Sequence, residues 1–169
     1  MRENSLPIFV SVGRHYRSEE TVLIERISTT LRAFGATPLT LPPERWDART
    51  PLQAISRLMS QCAGVLVIAF PRVRCVQGYE WPDSPEQQLI ATREVATVWL
   101  HVEATLAFAL GLPTLVLTER RLHPEGLLNP KHQEYRAIEY DTLQCQDGLP
   151  DSLTEALRAF VVELAEQQT

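Results

Sequence analysis

Residues 64–70 read GVLVIAF, seven positions without a polar side chain. A strand with one wet face alternates apolar and polar residues. A run this short that does not alternate is a strand buried on both faces, the signature of a central strand in a parallel sheet covered by helices. On the N-terminal side, residues 7–12 (PIFVSV) form a first strand ending at Gly13. A helix follows, with Ser18 as its expected N-cap, Glu19 and Glu20 at its positive end, and an apolar face of Val22, Ile24, Ile27, Leu31 and Phe34. Gly35 stops it, and residues 36–41 (ATPLTL) make a second strand that Pro38 assigns to an edge. Thr50-Pro51 opens another helix, expected to bury Leu52, Ile55, Leu58 and Met59.

On the C-terminal side of the central strand, a connection runs from Pro71 to about Ala96, and part of it, around residues 85–93, reads as a short helix. Connections of this length usually serve function or move. A nearly all-apolar helix then carries Glu103 and ends at Gly111, and residues 113–117 (PTLVL) form the fourth strand. Residues 135–140 (YRAIEY) alternate and form a fifth strand at the other edge. A last amphipathic helix begins at Pro150-Asp151-Ser152 and turns Leu153, Leu157, Phe160, Val161 and Leu164 inward. Strand–helix alternation implies an open parallel sheet with helices on both faces, and five strands imply the flavodoxin-like order 2-1-3-4-5. The 169 residues, 44% apolar and 22% charged, fit one domain spanning 1–169.

Composition narrows the function classes. A net charge of −5 lacks the basic footprint of a nucleic-acid binder. Cys62, Cys75 and Cys145 are odd in number and widely spaced, which argues for free thiols in a reducing cytoplasm rather than a disulfide framework or zinc site. His15, His101, His123 and His132 share no metal-ligand spacing, so neither metal nor cofactor is expected. The N-terminus has no signal-type apolar region. Residues 95–117 are long enough to span a bilayer, but Glu103 near their centre and the break at Gly111-Leu112-Pro113 argue against a membrane segment.

In open parallel sheets, ligands bind beyond the carboxyl ends of the strands, where the strand order reverses. Here that point lies between the first and third strands and selects Ser11, Gly13, Arg14, His15 and Tyr16 after one, and Phe70 and Arg72 after the other. Gly13 allows close backbone approach, and the guanidinium groups of Arg14 and Arg17 suit phosphate, as does the following helix N-terminus. The loop fits neither the P-loop nor the GxGxxG pattern, and no GxSxG is present. Arg74, Arg120 and Arg121 also follow strand ends, and Trp46, Tyr79 and Trp81 are aromatic loop residues suited to a lid or to anchoring. Glu103 stands out chemically, because an ionised carboxylate among apolar helix residues needs a partner or a use. Trp99 and Ala107 share its helical stripe, whereas His101 points elsewhere.

Three stretches together, IFVS at 8–11, VIAF at 67–70 and EATLAFALGLPTLVL at 103–117, resemble the nucleoside 2-deoxyribosyltransferase and nucleotide N-hydrolase superfamily and the related TIR-type domains. The shared pattern is Glu-x-x-x-Ala-x-Ala-x-Gly-x-Pro leading into a strand. The chain departs from it in a bulkier turn at 12–16 and in His101-Val102 ahead of the Glu. The resemblance implies chemistry at the N-glycosidic bond of a nucleoside, nucleotide or NAD. Glu103 would be the catalytic carboxylate at the anomeric carbon, and Ser11, Gly13, Arg14, His15, Tyr16, Phe70, Arg72 and Trp99 would contact the ligand. It also implies a homo-oligomer as one option, since such families complete their sites across a dimer. The alternative expectation is a non-catalytic nucleotide-binding or signalling module on the same fold.

Overall fold

In the computed structural model, which describes residues 5–41, 50–129, 131 and 135–168, the apolar run forms β3 (Gly64–Ala69), buried at every position. It lies at the middle of a five-stranded sheet. Its companions are β1 (Leu6–Val12), β2 (Ala36–Leu39), β8 (Thr114–Glu119) and β9 (Arg136–Tyr140), all parallel, in the order β2-β1-β3-β8-β9. The four short strands β4 (Val73–Cys75), β5 (Gly78–Glu80), β6 (Gln88–Ile90) and β7 (Arg93–Val95) belong to the connection after β3, so the main sheet has the expected 2-1-3-4-5 topology.

Alternation along each strand decides which layer a side chain enters. Ile8, Val10, Leu66, Ile68, Leu115 and Leu117 face α1 (Ser18–Ala33) and α4 (Asp151–Glu166). Phe9, Val65, Val67, Ala69 and Val116 face α2 (Pro51–Met59) and α3 (Val98–Ala109). Helices therefore cover both faces, and each core layer is continuous across the sheet. Burying a Leu or Ile of this kind contributes roughly 1.5–3 kcal/mol, which makes the sheet a rigid base for its carboxyl-end loops. Gly35 and Gly111, at φ 88° and 67°, adopt the left-handed conformation that terminates α1 and α3 and that a side chain would strain.

Several expectations need correction. Arg17, not Ser18, is the N-cap of α1, and Glu20 completes the cap from inside the helix. The buried face of α1 centres on Leu23, Ile27 and Leu31, with Ile24 packed at its margin. Leu52 of α2 is 48% exposed, because that short helix presents only Ile55 and Met59 fully to the sheet. No helix forms at 85–93. Antiparallel pairing of β4 with β7 and of β5 with β6 folds residues 73–95 into one nested ribbon instead. Ladder pairing satisfies its backbone donors where a short helix would leave its ends open. All five apolar positions expected for α4 are buried. Among the described residues no helix is long and apolar enough to cross a membrane.

Candidate functional site

Beyond the carboxyl ends of β1 and β3 lies a cleft of about 1080 Å³, against about 480 Å³ for a surface groove lined by α1 and α4 residues. Its lining includes Gly13, Arg14 and His15 from the turn after β1, Arg72 from the exit of β3, and Thr97, Trp99 and Glu103 from the start of α3. Reversal of strand order at β1 and β3 sends their connections to opposite faces and opens this space.

Glu103 lines the cleft from the second turn of α3. Its neighbours on the inner side of the helix, Leu100, Ala104 and Ala107, are fully buried, while Trp99, one turn earlier, is 36% exposed. The stripe Trp99–Glu103–Ala107 therefore runs from the solvent edge into the core, with the carboxylate at the boundary. Ser11 shares the sheet face of Phe9, which packs in the layer that holds α3, and it is 1% exposed. Its hydroxyl donates a hydrogen bond to Glu103 Oε2. Burial pushes the Glu103 carboxyl above its usual range, and the Ser11 hydrogen bond acts in the opposite direction without cancelling it.

At the mouth of the cleft the aromatic ring of Tyr16 receives two guanidinium groups, Arg72 at 4.5 Å and Arg14 at 5.3 Å from the ring centroid. Such contacts are favourable by about 0.5–1 kcal/mol each at exposed positions. Among the described residues no carboxylate forms an ion pair with either arginine. The other arginines that follow strand ends are occupied. Arg74 and Arg121 both reach Glu94, Arg121 also reaches Glu119, and Arg120 pairs with Glu139. Of the arginines that follow strand ends, the two without a carboxylate partner among the described residues are thus the two that border the cleft.

The amides at the start of α1 have a different role from the one expected. Those of Tyr16 and Arg17 donate to Glu20 Oε2, at 3.0 and 3.4 Å, so an internal carboxylate occupies them. Gly13 packs closely against the start of α3: a Cβ there would stand 3.2 Å from Thr97 Cγ2.

Of the residues selected from sequence, Ser11, Glu103, Gly13, Arg14, His15, Arg72 and Trp99 come together around one cleft, with Tyr16 exposed beside it. Phe70 does not join them. It lies in the α1–α4 core layer, edge-on to Tyr140 with ring centroids 6.1 Å apart. Thr97 was not anticipated. It caps α3, accepting from the Trp99 amide at 3.4 Å, and it lines the cleft opposite Gly13. Its only sequence signal was a Thr immediately before an apolar helix, an N-cap preference. Tyr79 and Trp81 are exposed on the ribbon away from the cleft lining, and Trp46 and His132 lie outside the described residues. His101 points away from Glu103, with its ring against Gly126, and burial lowers its pKa despite the nearby Glu125. Among the described residues no group of three His, Cys, Asp or Glu side chains could hold a metal ion.

No protein-family model matches the chain. No curated protein matches it in sequence. Among solved structures, it is similar to the Clostridium botulinum CMP N-glycosidase BcmB, at 15% identity and a TM-score of 0.48, over 80% of this chain and 87% of that one.

Proposed function

We propose that the chain cleaves or transfers the N-glycosidic bond of a nucleotide, with Glu103 acting at the anomeric carbon. The observation that carries this reading is the position of Glu103: a half-buried carboxylate lining the cleft, tied to a buried serine and otherwise surrounded by apolar helix residues. Cleaving the C1′–N bond sends its electron pair to the base and leaves positive charge on the sugar. A preplaced carboxylate in a water-poor pocket stabilises that charge, by forming an ester with C1′ or by holding the cation until an acceptor adds. Water as acceptor places hydroxide on C1′ and a proton on the base; a second base as acceptor gives transfer.

The remaining groups fit such a substrate. Ser11 engages Oε2, and Oε1, which takes no hydrogen bond from another described residue, is the oxygen to face the sugar. Trp99 offers a ring on the same stripe for stacking a base. Arg14 and Arg72, which have no carboxylate partner among the described residues, supply positive charge for a phosphate, which favours a nucleotide over an uncharged nucleoside. Fixing both ends of the substrate orients the bond between them.

The test is incubation of the pure chain with nucleosides, nucleotides and NAD, followed by chromatography for free base. Release from a phosphorylated substrate that is absent with Glu103→Gln is the expected result. A nucleotide bound tightly and left intact over hours would favour a binding module using the same arginines.

A further inference from the structure

Two guanidinium groups beside one exposed ring repel each other, and the short arc 13–16 that carries Arg14 and Tyr16 would not hold them unaided. The arc has a support within α1. Glu20 is 3% exposed on a helix whose other buried residues are Leu23, Ile27 and Leu31. A carboxylate in such a place is costly unless fully used. Among the described residues its hydrogen-bond partners all come from the loop before α1: the amides of Tyr16 and Arg17 on Oε2, and Arg17 Nε on Oε1 at 2.7 Å. Burial pushes the Glu20 carboxyl upward, but these donors outweigh it and hold the group below its usual range, so it is ionised at neutral pH. The carboxylate thereby fixes the path of the backbone at Tyr16, and the Tyr16 ring is the surface on which Arg14 and Arg72 meet.

We infer that Glu20 is a positioning residue that sets the preference of the cleft for phosphorylated ligands, by holding Tyr16 where Arg14 and Arg72 converge on it. The inference rests on the reading of the cleft as a nucleotide site. It makes a prediction whose sign separates it from simple electrostatics. Glu20 is itself an anion, so removing its charge strengthens anion binding if charge alone matters. Loss of positioning weakens it.

The experiment titrates the full chain with inorganic pyrophosphate and follows the backbone amides of residues 13–17 and the Arg14 and Arg72 Nε resonances by NMR. The unmodified chain should bind and shift these resonances. Glu20→Gln keeps the volume of the side chain but loses its charge, and should bind about tenfold more weakly. Should Glu20→Gln fold poorly, Tyr16→Ala serves in its place, since Tyr16 is 58% exposed and its removal leaves the core intact; it should show the same loss. Unchanged or tighter binding by the variant would overturn the inference, as would an unmodified chain that does not respond to pyrophosphate. Base release is not the readout. A chain that loses pyrophosphate affinity in Glu20→Gln yet never releases a base keeps this inference and loses the glycosidase reading.

Discussion

The hydroxyl of Ser11 donates to Oε2 of Glu103 across 92 positions of sequence, joining the end of β1 to the second turn of α3. The serine holds one carboxylate oxygen and opposes the upward push of burial on the acid. The proposed reaction needs the ionised carboxylate, so kcat/KM should rise with pH on the acid side, with its midpoint above the ordinary Glu value of 4.5. In Ser11→Ala the opposing hydrogen bond is gone, and the midpoint should move to higher pH while the maximum falls. A pH–rate series on both proteins checks this. An acid limb that stays in place in Ser11→Ala would rule out the coupling.

Glu103→Gln should separate activity from stability. Loss of the carboxylate should lower base release by a factor of about 10² or more, the scale of removing one preorganised charged group from a transition state. Stability should move the other way. The folded-state pKa of Glu103 is raised, so the folded chain holds that proton more tightly than the unfolded chain does. The stability associated with the proton is present at low pH and lost as pH rises through the folded pKa. At neutral pH the ionised acid is therefore a burden that Gln removes, by an amount on the order of 1 kcal/mol, or about 2–4 °C in Tm for a chain of this size. Thermal melts at pH 4 and pH 8 should show the variant's advantage growing with pH. A variant less stable than its parent at pH 8 contradicts the argument.

The sheet was legible because its signals are local. Residues 64–70 could only be a doubly buried strand, and the five apolar residues of α4 repeat at helical spacing. Glu103 was legible because a charge in an apolar helix is locally anomalous. Phe70 was misplaced although the information was present: it has the same parity as Leu66 and Ile68 along the strand, and that parity turns it into the α1–α4 layer. The ribbon at 73–95 was not legible. Its strands are three residues long, too short for alternation to register, and residues 85–93 contain helix formers. Pairing between separate segments decided the outcome there, whereas the hydrogen bonds of Glu20 are local, reaching three and four residues back to occupy the amides at the start of α1.

Gly13 and Thr97 form a tight pair across the cleft. A Cβ at Gly13 would lie 3.2 Å from Thr97 Cγ2, close enough that one side must yield by a few tenths of an ångström. Thr97 caps the helix that carries Glu103, so Gly13→Ala should tilt the start of α3 and reduce kcat with a small loss of Tm. Adding Thr97→Ser removes the offending methyl and keeps the capping oxygen. The double variant should recover most of the activity, a coupling within the range of about 0.5–3 kcal/mol seen for residues in contact. A double-mutant cycle on kcat measures it, and strictly additive losses would show that the contact does not reach the site.

The ribbon is docked chiefly by Glu94, which is 9% exposed. Its carboxylate pairs with Arg74 inside the ribbon at 2.5 Å and reaches Arg121 outside it at 3.6 Å, and its carbonyl accepts from the His123 amide at 2.7 Å. Ribbon and cleft share their ends, since the Arg72 amide donates to Val95 O at 2.8 Å and Thr97 follows two residues later. Both arginines that pair with Glu94 are substantially exposed and can return to water, so Glu94→Gln should cost only about 1.5 kcal/mol, the lower end of the range for a charged hydrogen bond. The larger effect should be local. Chymotrypsin should cut more readily at the exposed Tyr79 and Leu89, while the sheet stays resistant. Glu80→Gln is the control, because Glu80 pairs with Arg93 inside the ribbon and takes no part in docking. Equal cleavage of the two variants would mean that the Glu94 carboxylate does not hold the ribbon, leaving the backbone bridge between Glu94 and Leu122 as the docking contact.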